Sequence, residues 1–274
     1  MNFLKIGNVI NRGAFGIVYK GTYRDKEVAI KKVPLFHPDH PRITRKSYIN
    51  RELVNWKISS KGENIVQFQR YLEDRDFGYF VCEYCKYGSC YQPMNNMPPI
   101  DNIKLLHSIL KGIVYCHEKD IAHCDIKSAN IMMNKDHVWK IGDFGGSNIC
   151  KNEREGLTKC RGTPLYMSME MFNKDLGGYG KNVDVWALGV LAFGIYTTKH
   201  PFCEIHMDSD YNSIFNDIVY NDIQWIHMEN IGENVLNNEY DLIIDFIKLC
   251  LEKDKNKRPT STEMLSHNLF SLKQ

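Results

Sequence analysis

The 274-residue chain is long enough to bury a substantial core, and 43% apolar with 25% charged residues is the make-up of an ordinary globular protein. Its 35 basic and 33 acidic residues leave a formal charge of only +2, so charge gives no case for nucleic acid or an anionic membrane surface as a partner. Nine cysteines without framework spacing read as free thiols of a reducing compartment, and the first residues lack the apolar run of a signal peptide, so a cytoplasmic setting is expected.

From Ile10 to Gly21 the chain reads Ile-Asn-Arg-Gly-Ala-Phe-Gly-Ile-Val-Tyr-Lys-Gly. Gly13 and Gly16 flank an aromatic with β-favouring residues beyond them, the pattern of a hairpin. Glycines at such a turn let backbone N–H groups approach phosphate oxygens, although a tight turn needs them equally. Glu27-Val-Ala-Ile-Lys-Lys-Val33 alternates as a strand, with Ala29, Lys31 and Val33 on one face and Val28 and Ile30 on the other. Lys31 beside a small alanine suits a pocket for a flat ring and its phosphates. It equally suits an exposed strand, and burial would require an acidic partner.

Beyond a loop marked by Pro34, Pro38 and Pro41, a helix is expected over about residues 44–59, with Glu52 and Trp56 on one face. Glu52 is the candidate partner of Lys31, or a solvated helix charge like its neighbour Arg51. Strand-like runs at Ile65–Tyr71 and Tyr79–Glu83 complete a small β region. Cys82 and Cys85, with Cys90 nearby, have a zinc-like spacing. No second Cys/His pair matches it, and the flanking residues read as a buried strand.

After Tyr87-Gly-Ser the pattern changes. The Pro93–Pro99 stretch reads as a loop, and Asp101 caps a helix with Ile103, Leu106, Leu110, Ile113, Val114 and His117 along its inner face. That helix leads into His123-Cys-Asp-Ile-Lys-Ser-Ala-Asn130, which holds a carboxylate (Asp125), a cation (Lys127) and an amide (Asn130); Ile141-Gly-Asp-Phe-Gly145 adds Asp143. Acids and an amide for Mg²⁺, a cation for phosphate oxygens and one carboxylate to orient a hydroxyl are what a metal-bridged phosphate requires. Short strands at Ile131–Met133 and His137–Ile141 are expected to hold both acids in register. The apolar run from Val185 to Tyr196 is too short to span a bilayer and reads as a core helix beginning near Asn182. Further helices are expected around Tyr211–Tyr220, Tyr240–Leu251 and Ser261–Leu265.

In this order and spacing the segments resemble the eukaryotic protein kinase domain of the serine/threonine type, over essentially the whole chain. The resemblance implies an α+β, protein kinase-like bilobal fold of one domain spanning 1–274. A small antiparallel β N-lobe with one main helix would occupy about 1–82, a hinge about 83–88 and a larger, mostly helical C-lobe about 89–274, with no room for a regulatory domain. It implies ATP and Mg²⁺ as cofactors and a protein substrate. Asn11, Gly13 and Gly16 would belong to the phosphate loop. Val18 and Ala29 would pack on the adenine, Met132 would close its pocket from below, Cys82 would be the gatekeeper, and Glu83 to Cys85 the hinge. Lys31, held by Glu52, would bind the α- and β-phosphates. Asp125 would be the catalytic base, Lys127 would neutralise the γ-phosphate, and Asn130 and Asp143 would hold Mg²⁺. His123, Phe144 and Trp56 would stack as a spine between the lobes, Asp184 would accept N–H groups of the catalytic loop, and Glu170 would pair with Arg258. Gly162–Glu170 would form the peptide-docking floor, and Lys127 with Thr163 matches the serine/threonine type.

Three departures stand out. Asn11 replaces the first glycine of the loop, a mild change if its backbone needs unusual angles. Cys124 replaces the arginine that commonly precedes the catalytic Asp and pairs with a phosphorylated activation loop, so such control is not expected here. Ser168-Met169 replaces the usual Ala-Pro before Glu170, which should loosen that turn without touching the chemistry. These departures keep a second reading open, a pseudokinase acting as scaffold or decoy, against which stand the retained Lys31, Asp125 and Asp143. A small-molecule phosphotransferase is disfavoured by the Gly162–Glu170 segment.

Overall fold

Alternating β-favouring residues in the first third of the chain build one antiparallel sheet. The computed structural model describes residues 3–13, 16–36, 44–91, 101–159, 162–173, 176–204, 210–231 and 237–273. Strands β1 (Leu4–Gly13), β2 (Gly16–Tyr23), β3 (Lys26–Pro34), β4 (Phe68–Glu73) and β5 (Phe77–Glu83) are ordered β1-β2-β3-β5-β4. The period of two on β3 works as expected. Ala29 and Val33 join the main core, whereas Val28 and Ile30 pack with Tyr79 and Val81 in a separate cluster. Helix α1 (Lys46–Ser59) buries Ile49, Glu52, Asn55, Trp56 and Ser59, one face at helical spacing.

Several boundaries differ from the sequence reading. β5 starts at Phe77 rather than Tyr79, the strand expected from His137 starts at Trp139, and the helix expected from Tyr240 starts at Asn237. Helix α1 starts at Lys46 rather than Thr44, because Thr44 bridges to Phe36 and its hydroxyl accepts from the Lys46 N–H (3.2 Å). β4 begins at Phe68 rather than Ile65. The chain before it is stitched to the other half by Val66 N–H to Ile141 O (2.9 Å) and Ile141 N–H to Asn64 O (2.8 Å), which spends the bonds a longer strand would use. Pro34 ends β3 instead of opening a loop, a strand-terminal position that tolerates its missing N–H. Phe15, Pro38, Pro41 and the Pro93–Pro99 stretch lie outside the described residues.

The remainder is mainly helical. Asp101 caps α2 (Asn102–His117), accepting from the Lys104 N–H (3.1 Å). Two short ladders follow, β6 (Ile121–Ala122) with β9 (Asn148–Ile149) and β7 (Ile131–Met133) with β8 (Trp139–Ile141). After the four-residue α3 (Met169–Phe172), helix α4 (Val183–Thr197) is buried from Val183 to Phe193 and forms the centre of this half. α5 (Tyr211–Tyr220) packs on α3, α6 (Asn237–Cys250) on α4, and α7 (Ser261–Leu265) on α2. The result is the expected α+β, bilobal architecture. Arg258, fully buried, donates to both carboxylate oxygens of Glu170 (2.6 and 3.3 Å), which ties α3 to the base of this half. Among the described residues no helix is long and apolar enough to cross a membrane.

Candidate active site

Lys31 projects from the face of β3 that carries Ala29 and Val33, and α1 brings Glu52 to meet it. Its Nζ lies 2.7 Å from Glu52 Oε1 and 2.6 Å from Asp143 Oδ1. Lys31 is 8% and Glu52 6% exposed, so neither is a solvated surface charge. Burial alone would discharge Lys31, but Asp143 and Glu52 outweigh it and hold the ammonium's pKa above its ordinary value. Burial raises the pKa of Glu52 in spite of Lys31. Burial also opposes ionisation of Asp143, yet Lys31 and the Gly145 N–H (3.2 Å) bring its pKa down to about 2, so it is a carboxylate at neutral pH. A Cβ at Gly145 would stand 3.2 Å from Asp143 Oδ1 and 3.5 Å from Glu52 Oε2, so a side chain there would crowd the three charges.

The second acid is positioned from below. Asp184, buried on the first turn of α4, accepts from the His123 N–H (2.7 Å) and the Cys124 N–H (2.8 Å), and lies 2.9 Å from His117 Nε2. Burial opposes its charge, but His117 and the His123 N–H hold its pKa below the usual carboxylate range. The cradle holds Cys124 at φ 61°, a left-handed turn that leads into Asp125. Asp125 Oδ1 accepts from Thr163 Oγ1 (2.7 Å), and its Oδ2 lies 2.9 Å from Lys127 Nζ and 3.1 Å from Asn130 Nδ2. Lys127 Nζ also donates to Thr163 Oγ1 (2.6 Å). Thr163 can come this close because Gly162 has φ 106° and an added Cβ would collide with the Cys124 carbonyl.

Of the nucleotide-side candidates, Val18 lies directly across the sheet from Lys31. β1 and β2 close with Gly13 opposite Gly16, and Asn11 pairs with Val18 beside a β-bulge. Asn11 keeps a negative φ and its Oδ1 takes the Arg12 N–H (2.7 Å), so it needs no unusual backbone angle. Ala29 pairs across the sheet with Cys82; both belong to one apolar cluster with Cys85, and Val18 and Met132 pack on it. Burial pushes the Cys82 thiol up and the Cys85 thiol to about 12, so both are protonated at neutral pH. The Glu83 side chain is engaged, accepting from the Gln67 N–H (3.2 Å) and Asn134 Nδ2 (2.9 Å), with Lys140 Nζ at 3.2 Å. Sequence reasoning misses Asn134 and Lys140. The available signal was a lysine between the apolar residues of Trp139-Lys-Ile141.

Trp56 stacks on Phe144 (6.0 Å, 17°), and Phe144 meets His123 edge-on (4.9 Å, 70°). His123 is 1% exposed with Nε2 3.1 Å from Gly142 O, a packed core histidine. Cys124 is buried among Ala122, Cys150, Met167, Met171, Tyr179 and Val183, an apolar setting in place of a charged one. His117, placed in sequence on an apolar helix face, instead uses both ring nitrogens, on Asp184 and on Ser261 Oγ (2.8 Å).

A bilobal fold with one lysine–glutamate–aspartate cluster and one aspartate–lysine–asparagine cluster defines the class, and the sequence matches the protein kinase domain family over residues 4–270. The chain belongs to that family. It is 29% identical over 272 residues to serine/threonine-protein kinase 4 homolog B of Dictyostelium discoideum, across 96% of this chain and 22% of that protein. It is 29% identical over 271 residues to mitogen-activated protein kinase kinase kinase 1 of Arabidopsis thaliana, across 95% of this chain and 41% of that protein. With mitogen-activated protein kinase kinase kinase 19 of Mus musculus it shares 28% identity over 280 residues, across 98% of this chain and 20% of that protein. The chain therefore spans between about a fifth and two fifths of the length of these three relatives.

Proposed function

We propose that this chain is an active serine/threonine protein kinase that transfers the γ-phosphoryl group of ATP to serine or threonine hydroxyls of a protein substrate. The supporting observation is the convergence of Lys31, Glu52 and Asp143 in one cluster and of Asp125, Lys127 and Asn130 in another. On this reading residues 1–274 form one domain in which about 1–82, 83–88 and 89–274 are N-lobe, hinge and C-lobe, and the protein works in the cytoplasm.

The donor set fits Mg²⁺. Asp143 is ionised at neutral pH, and Asn130 spends its NH₂ on the carbonyl and carboxylate of Asp125, which leaves the amide oxygen as acceptor, so the pair offers the hard oxygens this ion takes. Held by Asp143 and Asn130, the ion would supply positive charge to offset that of the phosphates. Lys31 binds the α- and β-phosphates, its charge kept by Glu52 and Asp143. Gly13 and Gly16, with Asn11, bring backbone close to the phosphates, while Val18, Ala29, Cys82 and Met132 enclose the adenine and the hinge backbone at Glu83 to Cys85 bonds its edge. Asp125 orients the substrate hydroxyl and takes its proton as the oxygen bonds to the γ-phosphorus and the β–γ bridging bond breaks. Lys127 offsets the charge on the γ-phosphoryl oxygens. The apolar surroundings of Cys124 favour control by something other than a phosphate docking at this position.

Incubating the purified chain with Mg²⁺, labelled ATP and a generic protein substrate, followed by phosphoamino-acid analysis, tests the reading. Label on serine or threonine supports it. Label on tyrosine, or thermal stabilisation by Mg-ATP with no transfer, sinks it, the latter in favour of a scaffold.

A further inference from the structure

The buried stripe of α1 is unusual for a helix docked on a core. Of Ile49, Glu52, Asn55, Trp56 and Ser59, three are polar, and Asn55 and Ser59 are fully buried. Glu52 faces Lys31. One turn on, Asn55 Nδ2 donates to Ser147 Oγ (3.0 Å), and the Ser147 hydroxyl, also fully buried, donates to the Phe144 carbonyl (2.6 Å). Beside them Arg51 Nη2 reaches the Gly145 carbonyl (3.3 Å). Helix α1 thus meets the 144–147 segment through two directed bonds as well as the Trp56–Phe144 stack. Apolar contacts permit sliding, whereas a buried amide that loses its partner is left with a full desolvation penalty, so the bond favours one register of helix against segment.

We propose that Asn55 and Ser147 are a positioning pair, coupling the helix that carries Glu52 to the segment that carries Asp143 so that both reach Lys31 together. The inference rests on the kinase reading for its catalytic consequence but not for the coupling itself. Neither residue touches the reacting groups. Asn55 acts through Glu52, and Ser147 through Phe144 and the adjoining Asp143.

The test uses Ser147→Ala, Ser147→Thr, which keeps the hydroxyl, and the pair Asn55→Leu with Ser147→Ala, which removes both polar partners and leaves apolar packing in their place. Positioning predicts that Ser147→Ala and the double variant lower kcat about tenfold, the worth of one buried hydrogen bond, with KM for the protein substrate unchanged and melting temperature retained in the double variant. Ser147→Thr should restore kcat. Amide hydrogen exchange over 144–147 should quicken in Ser147→Ala, a readout that stands even if the wild type transfers no phosphate. Unchanged exchange, or activity lost only in proportion to melting temperature, overturns the pair as a positioning device. Absence of transfer in the wild type with quickened exchange in Ser147→Ala would instead overturn the kinase reading alone.

Discussion

Replacing Arg258 with methionine should unfold the larger lobe several degrees early. Its guanidinium is fully buried, holds Glu170 through two bonds, donates Nε to the Glu252 carbonyl (3.0 Å) and lies 5.0 Å from the Trp186 ring centre. Methionine retains much of the packing on Trp186, so the loss is electrostatic. Glu170, 3% exposed, is left as an uncompensated buried carboxylate. Breaking a buried pair in this way costs roughly 3–5 kcal/mol, which for a domain of this size lowers the melting temperature by about 5–9 °C. Thermal unfolding followed by far-ultraviolet circular dichroism reads the effect. The companion variant Arg258→Met with Glu170→Leu should recover most of the loss, because an apolar pair leaves no charge stranded. A drop of less than about 2 °C in the single variant, or a double variant worse than the single, would refute the reasoning.

Two further outcomes follow from the Lys31 cluster. Glu52→Gln should reduce kcat/KM for ATP by about tenfold or more in steady-state kinetics, since Lys31 keeps only Asp143 to hold its charge in place. Its melting temperature should change little, because burial already disfavours the Glu52 carboxylate; a large fall in stability with unaltered kinetics would contradict this. For Asp143 the folded pKa lies below the ordinary value of 3.8, at about 2, so its ionised form adds stability above pH 4 that is lost as pH falls towards 2. Its carboxylate is 35% exposed, and discounting for solvent leaves about 1 kcal/mol. Urea unfolding of wild type and Asp143→Asn should therefore differ by that amount at pH 6 and converge near pH 2; a gap independent of pH would show that the carboxylate's charge is not what stabilises.

Much of this was legible because the chain's periodicities are clean. β3 alternates between two separate cores, the cap of α2 and the span of α5 match their patterns, and the charged positions occur in short, dense motifs. What the sequence hides is tertiary. β6 and β9 are two residues each, too short to show alternation, and β4 loses its first residues to bonds with Ile141. His117 and Lys140 look like an apolar-face histidine and a strand lysine until partners from distant segments, Asp184 and Glu83, arrive beside them. Asn55 is the sharpest case. Nothing in Leu53-Val-Asn-Trp56 distinguishes a buried amide from an exposed one until Ser147 supplies the acceptor.

The most direct measurement is phosphoryl transfer by wild type beside Asp125→Asn, with nucleotide binding followed in parallel by thermal shift. Asp125 bonds Thr163, Lys127 and Asn130 but lies outside the Lys31 cluster. The substitution should therefore leave the stabilisation by Mg-ATP intact while transfer falls by about a thousandfold, as loss of a general base requires. Transfer undiminished in Asp125→Asn would contradict the assignment of that carboxylate as the catalytic base.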